Sequence, residues 1–320
     1  MQKHALTLAA IASLATVVVS QQFREDFNYP NGATIPGWTA QRGNWSVNNG
    51  RIVAVGSTWS YISVNALSAT RSVLDGEFFF TGSGVQFAGL MSKALNPASD
   101  ADLLMAKIQN NGGVADFDRV FAYERPGVST FYDIPNGTQS AFCRLVTLDN
   151  EFWIETDADK DGLYELTMLP KPITLLQTGT QIGMCGYNGS EMDNFEFFDA
   201  VLTNDPASTP MVGQNHTMRL NATQTNANWF GMLSLGNAGF PVGNRQIPVS
   251  PDFLAVGTFA NPAYGMNGST DANGDATLTI PIPALPFLSG LRIYAALFTY
   301  DPSQPLSVGN ISNEQAFVIQ

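Results

Sequence analysis

Three carboxylates alternate along Asp157-Ala158-Asp159-Lys160-Asp161 and end on Gly162. Alternate acids closed by a glycine make the first half of a calcium loop, because a hard cation collects about six to eight oxygens and a tight turn brings several carboxylates to one point. Ca2+ is therefore the cofactor this spacing fits, with Asp157, Asp159 and Asp161 as ligands. The second half of such a loop is missing. Counted from Asp157, the twelfth position, where a bidentate Glu belongs, is Met168, and Glu165 falls at the ninth. The flanks EFWIET (151–156) and YELTML (164–169) read as paired strands rather than helices. A plain acidic hairpin turn accounts for the same residues.

Aromatic rings are the other recognition chemistry on offer. Trp59-Ser60-Tyr61 lies in a strand-like run, where alternate residues share a face, so both rings point the same way and would make a shallow ligand platform. Core packing is the alternative, and it accounts for most of Trp38, Trp45, Trp59, Trp153 and Trp229, with Tyr61 and Tyr123 on predicted strands, since large aromatics stabilise sandwiches. Acid–base machinery is sparse. His216 is the one histidine after His4, set in Asn-His-Thr with no nucleophile motif beside it. Ser-His-Asp, Cys-His and His-ligated zinc chemistry thus lack support. Glycoside hydrolysis needs only two carboxylates, and Asp118 with Glu124 is one such pair.

The elements that must position these residues are strands. After the first 20 residues, short apolar or alternating runs recur between Gly, Asn, Asp and Pro clusters: RIVAV (51–55), GEFFFTG (76–82), DLLMAKI (102–108), FCRLVTL (142–148), QIGMCGY (181–187) and NFEFFDAVL (194–202) among them. This spacing predicts antiparallel sandwiches. Asn49-Gly50, between VN and RIV, is a two-residue hairpin signal, because both residues tolerate positive φ; Asn111-Gly112-Gly113 marks another turn. TNDPASTP (203–210) carries two prolines among small polar residues and reads as a linker. The strand pattern then restarts with HTMRLNAT (216–223), NWFGMLSLG (228–236), DFLAVGT (252–258), ATLTIPIP (276–283), LRIYAALFTY (291–300) and QAFVIQ (315–320). The expected layout is a signal peptide over 1–20, a first β domain over 21–203, a linker over 204–210 and a second, smaller β-sandwich over 211–320.

Composition narrows the setting. Charged residues are 13% of the 320-residue chain, about half the usual ~25%, so Asn, Thr, Ser and Gln must cover much of the surface. With Asp+Glu 27 against Lys+Arg 15 and net charge −12, phosphate backbones are repelled and nucleic acid is excluded as a partner. Lys3 and His4 precede an apolar run from Ala5 to Val19, too short to span a bilayer and suited to a cleaved export signal. No later run is long enough to span, so no membrane span is expected and the product is secreted, extracellular or cell-surface. Cys143 and Cys185 both sit in apolar runs. One disulfide and two buried thiols are equally open for an exported chain.

The opening REDFNYPNGATIPGWTAQRGNWSVNNGRIVA, the ETDADKDGLYE hairpin and the closing MDNFEFFDA strand resemble concanavalin A-like, laminin G-like domains of secreted bacterial proteins, over about Phe23 to Leu202. The later LSLG, DANGDATLTIPIP, LSGLRIYA and SNEQAFVI segments resemble an uncharacterised C-terminal β domain of such proteins. The resemblance implies an all-β chain: a concanavalin A-like antiparallel jelly-roll sandwich plus a second, smaller β-sandwich. It also implies a structural cation where first and last strands meet, for which Glu25 or Asp26 with Asp199 would serve, although surface charge on edge strands is the better account of these residues. Jelly-roll glycosidases of the laminarinase type carry Glu-x-Asp-x-x-Glu on one strand. Here Glu155-Thr-Asp157-Ala-Asp159-Lys160 ends in Lys. The expectation is a non-catalytic recognition module for an extracellular glycan or protein. A carbohydrate-active hydrolase on the same fold and a purely structural secreted protein are the alternatives.

Overall fold

The computed structural model describes residues 22–320 apart from 83, 111–116, 126, 128 and 176–178. The expected signal peptide and the Asn111-Gly112-Gly113 turn lie outside the described residues. The protein is all-β, and its first block is two antiparallel sheets packed face to face. One runs, edge to edge, through Glu165–Pro172, Glu151–Asp157, Ser140–Thr147, Ser72–Phe79, Glu191–Phe198, Arg51–Val55 and Asn44–Asn48, with Phe23–Glu25 also pairing with Glu191–Phe198. The other runs through Ser129–Thr138, Phe117–Arg125, Leu103–Gln109, Phe87–Ala94, Gln181–Tyr187, Ser60–Ser68 and Trp38–Arg42. Neighbours distant in sequence, such as Ser72–Phe79 between Ser140–Thr147 and Glu191–Phe198, give it the jelly-roll character.

Period-two patterning assigns the faces. Alternate residues from both sheets, including Ile52, Leu74, Phe78, Leu90, Ile108 and Phe195, meet in one continuous core. Burying each such side chain stabilises the fold by about 1.5–3 kcal/mol. Gly76 is needed in that layer: a Cβ there would stand 3.1 Å from the Phe78 ring and 3.3 Å from Leu90 of the opposite sheet. The Asn49-Gly50 hairpin forms as expected, with φ of 52° and 76° and Asn48 opposite Arg51. Trp45 lies half-buried on the edge strand beside it.

The second block pairs a three-stranded sheet (Ala200–Asn204, Asn215–Ala222, Asp275–Pro281) with a five-stranded one built around Arg292–Tyr300. Its core holds Leu220, Trp229, Ile280, Leu297 and Phe317. Two details differ from the sequence reading. DFLAVGT is not a strand but the start of a helix, Phe253–Ala260. Asp252 caps it, accepting from the Ala255 amide at 2.9 Å, and an N-cap carboxylate outweighs the β-preference of Phe, Val and Thr. The chain also enters the second block earlier than the proline-rich segment suggests: Ala200–Asn204 already pairs with Asn215–Ala222, leaving only Asp199 between it and the strand Glu191–Phe198.

Cys143 and Cys185 are free and buried. The first belongs to the layer between the sheets and the second to a cluster on the outer side of the other sheet, so no disulfide joins them. Burial pushes both thiols well above the usual range.

Candidate functional site

The outer side of the seven-stranded sheet carries an aromatic face. Cross-strand register sets Phe131, Phe121, Lys107, Gly89, Cys185, Tyr61 and Arg42 in one row across seven strands. At its centre Lys107, 3% exposed, is roofed by rings: its Nζ lies 4.3 Å from the Phe87 centroid, 4.5 Å from Phe121, 4.8 Å from Trp59 and 5.2 Å from Tyr123. Burial lowers this ammonium to about 8, and Gln109 Oε1 accepts from it at 2.7 Å. Gly89 makes room for the lysine stem, since a Cβ there would stand 2.8 Å from Lys107 Cβ.

Trp59 and Tyr123 form the half-buried surface of this cluster. They meet edge to face, 6.1 Å apart at 84°, and the Arg125 guanidinium lies about equally over both, at 4.9 and 5.0 Å. Asp100 draws the rim together, with Arg42 and Arg125 at 3.6 and 3.7 Å and the Tyr61 hydroxyl donating to its Oδ1. Tyr61 is 0% exposed. The structure thus puts both sequence-predicted rings on one side of the sheet, 6.4 Å apart, but only Trp59 reaches the surface; Tyr61 is a pillar beneath the rim. Tyr123, Arg125 and Lys107 complete the face. Spacing does not reveal them, because their strands are neighbours only after the sheet has formed. Chemically, the face offers apolar rings beside carboxylate and guanidinium groups, the combination that holds the C–H faces and hydroxyls of sugars.

The acidic hairpin forms where the sequence places it, and the carboxylate oxygens of Asp157, Asp159 and Asp161 lie within 4.8 Å of one another. Backbone amides occupy several of them: Asp157 accepts from Asp161 and Gly162 at 3.1 and 3.0 Å, and Asp161 accepts from Leu163 at 2.8 Å. Burial raises the Asp157 carboxyl, and the Gly162 and Asp161 amides pull it back. Arg292 of the second block pairs with Asp161 at 2.7 Å. Glu25 and Asp199, the other cation candidates, are engaged apart. Glu25 accepts from the Phe27 amide and the Tyr29 hydroxyl. Asp199 accepts from Asn310 Nδ2 and the Ile311 amide.

A second group of acids, of which the sequence reading singled out only Glu155, gathers on the other outer face, under the second block. Glu155, Arg144, Asp75, Glu196 and Arg24 form a cross-strand row. Arg144, 1% exposed, donates to both Asp75 oxygens at 2.8 and 2.7 Å and to Glu314 of the second block at 2.9 Å, and stacks over Tyr164. Beside it lies a cavity of about 400 Å³ lined by Asp75, Phe142, Tyr164, Glu196, Gln246 and Glu314, among others. Burial, then the nearby Glu314, pushes Glu196 up to about 7. His216 is structural: its ring packs on Phe317 and its Nε2 bonds Asn204 Oδ1 at 2.9 Å, and burial lowers its pKa.

Fold and faces together define an all-β protein, a jelly-roll-type sandwich joined to a smaller β-sandwich. No protein-family model matches the chain, and no curated protein matches it. Solved structures similar to it include the carbohydrate binding module CBM66 from Bacillus subtilis, at 16% identity and a TM-score of 0.40 over 52% of this chain and 98% of that one. The Ca2+-bound exoplasmic/lumenal domain of VIP36 is similar at 12% identity and 0.41, over 55% and 89%. A protein of unknown function with a galectin-like fold from Bacillus subtilis is similar at 8% and 0.40, over 55% and 94%. Likeness at this level assigns no ligand. Among the described residues, no helix is long and apolar enough to cross a membrane.

Proposed function

We propose that this chain is an exported, non-catalytic recognition protein that binds glycan on the outer face of its seven-stranded sheet. The observation that carries this reading is the half-exposed Trp59–Tyr123 pair flanked by Arg42, Arg125 and Asp100. A sugar ring stacks its C–H face on such rings while its hydroxyls reach the charged rim. A glycan array tests it. Trp59→Ala is expected to weaken the best array ligand at least about tenfold, a loss of about 1.4 kcal/mol, with Trp59→Phe retaining part of the affinity and circular dichroism unchanged. A flat array with intact protein would instead favour a protein ligand or a purely structural role.

The cavity under the second block supports a second, hydrolytic reading, because Glu196, raised to about 7, lines it together with Asp75 and Glu314, and a paired carboxyl raised by burial suits general acid catalysis. Reducing-sugar release from a polysaccharide panel, abolished in Glu196→Gln but not in Trp59→Ala, would establish it in place of the first.

The acidic hairpin is the candidate Ca2+ site. Asp157, Asp159 and Asp161 would supply the carboxylates, and Ca2+ would have to displace Arg292 from Asp161. That competition would weaken binding, and an affinity of about 10⁻⁴–10⁻³ M, as in extracellular modules, is expected. Calorimetry on chelator-treated protein is expected to give a dissociation constant in that range, tightened by Arg292→Ala. Absence of heat in both proteins would reduce the hairpin to a turn.

A further inference from the structure

The end of the second sandwich is open. A cavity of about 240 Å³ reaches into the block, and its walls, Leu233, Ile280, Ile282, Ile293, Phe317 and Ile319, all belong to that block's core. It is therefore an unfilled end of the core rather than a surface dent. The local sequence explains the opening. Asp275–Pro281 is an edge strand, paired on one side with Asn215–Ala222, and the Ile282 amide still donates to Gln214 O at 2.9 Å on that side. Pro281 and Pro283 offer no amide proton to a further strand, so the other side stays uncovered, and a 3-10 turn, Pro286–Leu288, follows.

The chemistry of the lining is one-sided. Thr258 and Tyr264 contribute its only side-chain hydroxyls. The Thr258 hydroxyl is committed internally, donating to Leu254 O at 2.8 Å and accepting from the Leu233 amide at 3.0 Å. No Asp, Glu, Lys or Arg occurs from Phe253 to Thr270 or from Ala276 to Leu291, in a chain of net charge −12. Lining residues Leu291 and Tyr264 are 36% and 47% exposed and form the mouth. Next in sequence to lining Leu254 and Leu288 stand Phe253 and Phe287, each 78% exposed. The helix Phe253–Ala260 fully buries only Ala255 and Thr258, sets Leu254 against the cavity and leaves Phe253, Val256 and Phe259 exposed. Apolar cavities of about 150 Å³ already stay dry and accept benzene, and this one is larger and has a way in.

We propose that this cavity binds the hydrocarbon chain of a single-chain amphiphile, tail among the isoleucines and polar head at the mouth beside Tyr264. An uncharged slot continuous with a core matches a neutral linear tail, and it offers nothing to satisfy the polar groups of a sugar or a peptide backbone. This site is separate from the aromatic face, and the two readings stand or fall independently.

The test is displacement of dansylated undecanoic acid from the full chain by octanoate, decanoate and dodecanoate. One probe is expected per chain. Affinity is expected to rise about fourfold per added methylene, as about 0.8 kcal/mol per buried CH2 requires, until the slot is full. Leu254→Trp, which fills the slot from a half-buried helix position, is expected to abolish binding. Leu291→Glu at the exposed mouth is expected to weaken it, with both melting curves close to the parent. No saturable binding, absence of chain-length dependence, or uptake unchanged in both variants would overturn the proposal. Association with phosphatidylcholine vesicles without monomer binding would also overturn it, in favour of a membrane-seating surface.

Discussion

Arg144→Met is expected to destabilise the protein by about 3–5 kcal/mol, read as a lower urea midpoint at pH 7. Arg144 is the cation at the centre of a buried group of acids: Asp75 binds it through both oxygens, Glu314 at 2.9 Å and Glu155 at 3.8 Å. Burial alone would depress its pKa, yet Asp75 and Glu314 hold it well above the ordinary value. Removing one partner from such a group leaves the remaining charges desolvated and uncompensated, which costs far more than the intact network contributes. Adding Asp75→Asn and Glu314→Gln to Arg144→Met is therefore expected to recover much of the loss. A single variant with parental stability would show that water reaches these carboxylates and that the network is not a sealed one.

Glu196→Gln is expected to stabilise the protein by about 2 kcal/mol at pH 8 and to have no effect at pH 4. The carboxyl moves from an ordinary 4.5 to about 7 in the fold. Between those values the native state holds a proton that the unfolded chain has released, so the native state binds more protons and stability falls as pH rises. The penalty is absent below about 4.5, grows through the interval and is complete above 7. The full displacement corresponds to about 3 kcal/mol. The carboxyl's 23% exposure and the solvent screening that comes with it reduce the expectation to about 2. Urea titrations of both proteins at pH 4, 6 and 8 read the difference directly. An equal gap at all three pH values would assign the effect to packing rather than to the proton.

Much of the architecture was legible in the residues themselves. Period-two alternation and the Asn49-Gly50 turn are local signals, and they located most strands and the acidic hairpin. DFLAVGT misled because its composition is strand-like while the decision rested on one capping carboxylate, Asp252. The linker reading missed that Ala200–Asn204 belongs to the second block, since a strand's partner is invisible until the sheet assembles. The same limit governs the sites. Trp59 and Tyr61 are two residues apart and could be placed on one face, but burial separated their roles. Lys107, Tyr123 and Arg125 reach Trp59 across strands far away in the chain. The row Glu155–Arg144–Asp75–Glu196–Arg24 is scattered over five strands, so no spacing rule could collect it.

The direct passage from Glu191–Phe198 through Asp199 into Ala200–Asn204 has a mechanical consequence. One residue provides no slack, and arginines clamp the joint from both sides: Arg71 reaches Ala222 O and Asp275, while Arg292 reaches back to Asp161. Force applied to the chain's two ends would load the sandwiches in series, with no tether to pay out between them. If the aromatic face and the apolar slot take the ligands proposed for them, the two would be held at a fixed distance and angle, and the molecule would act as a stiff bracket between them.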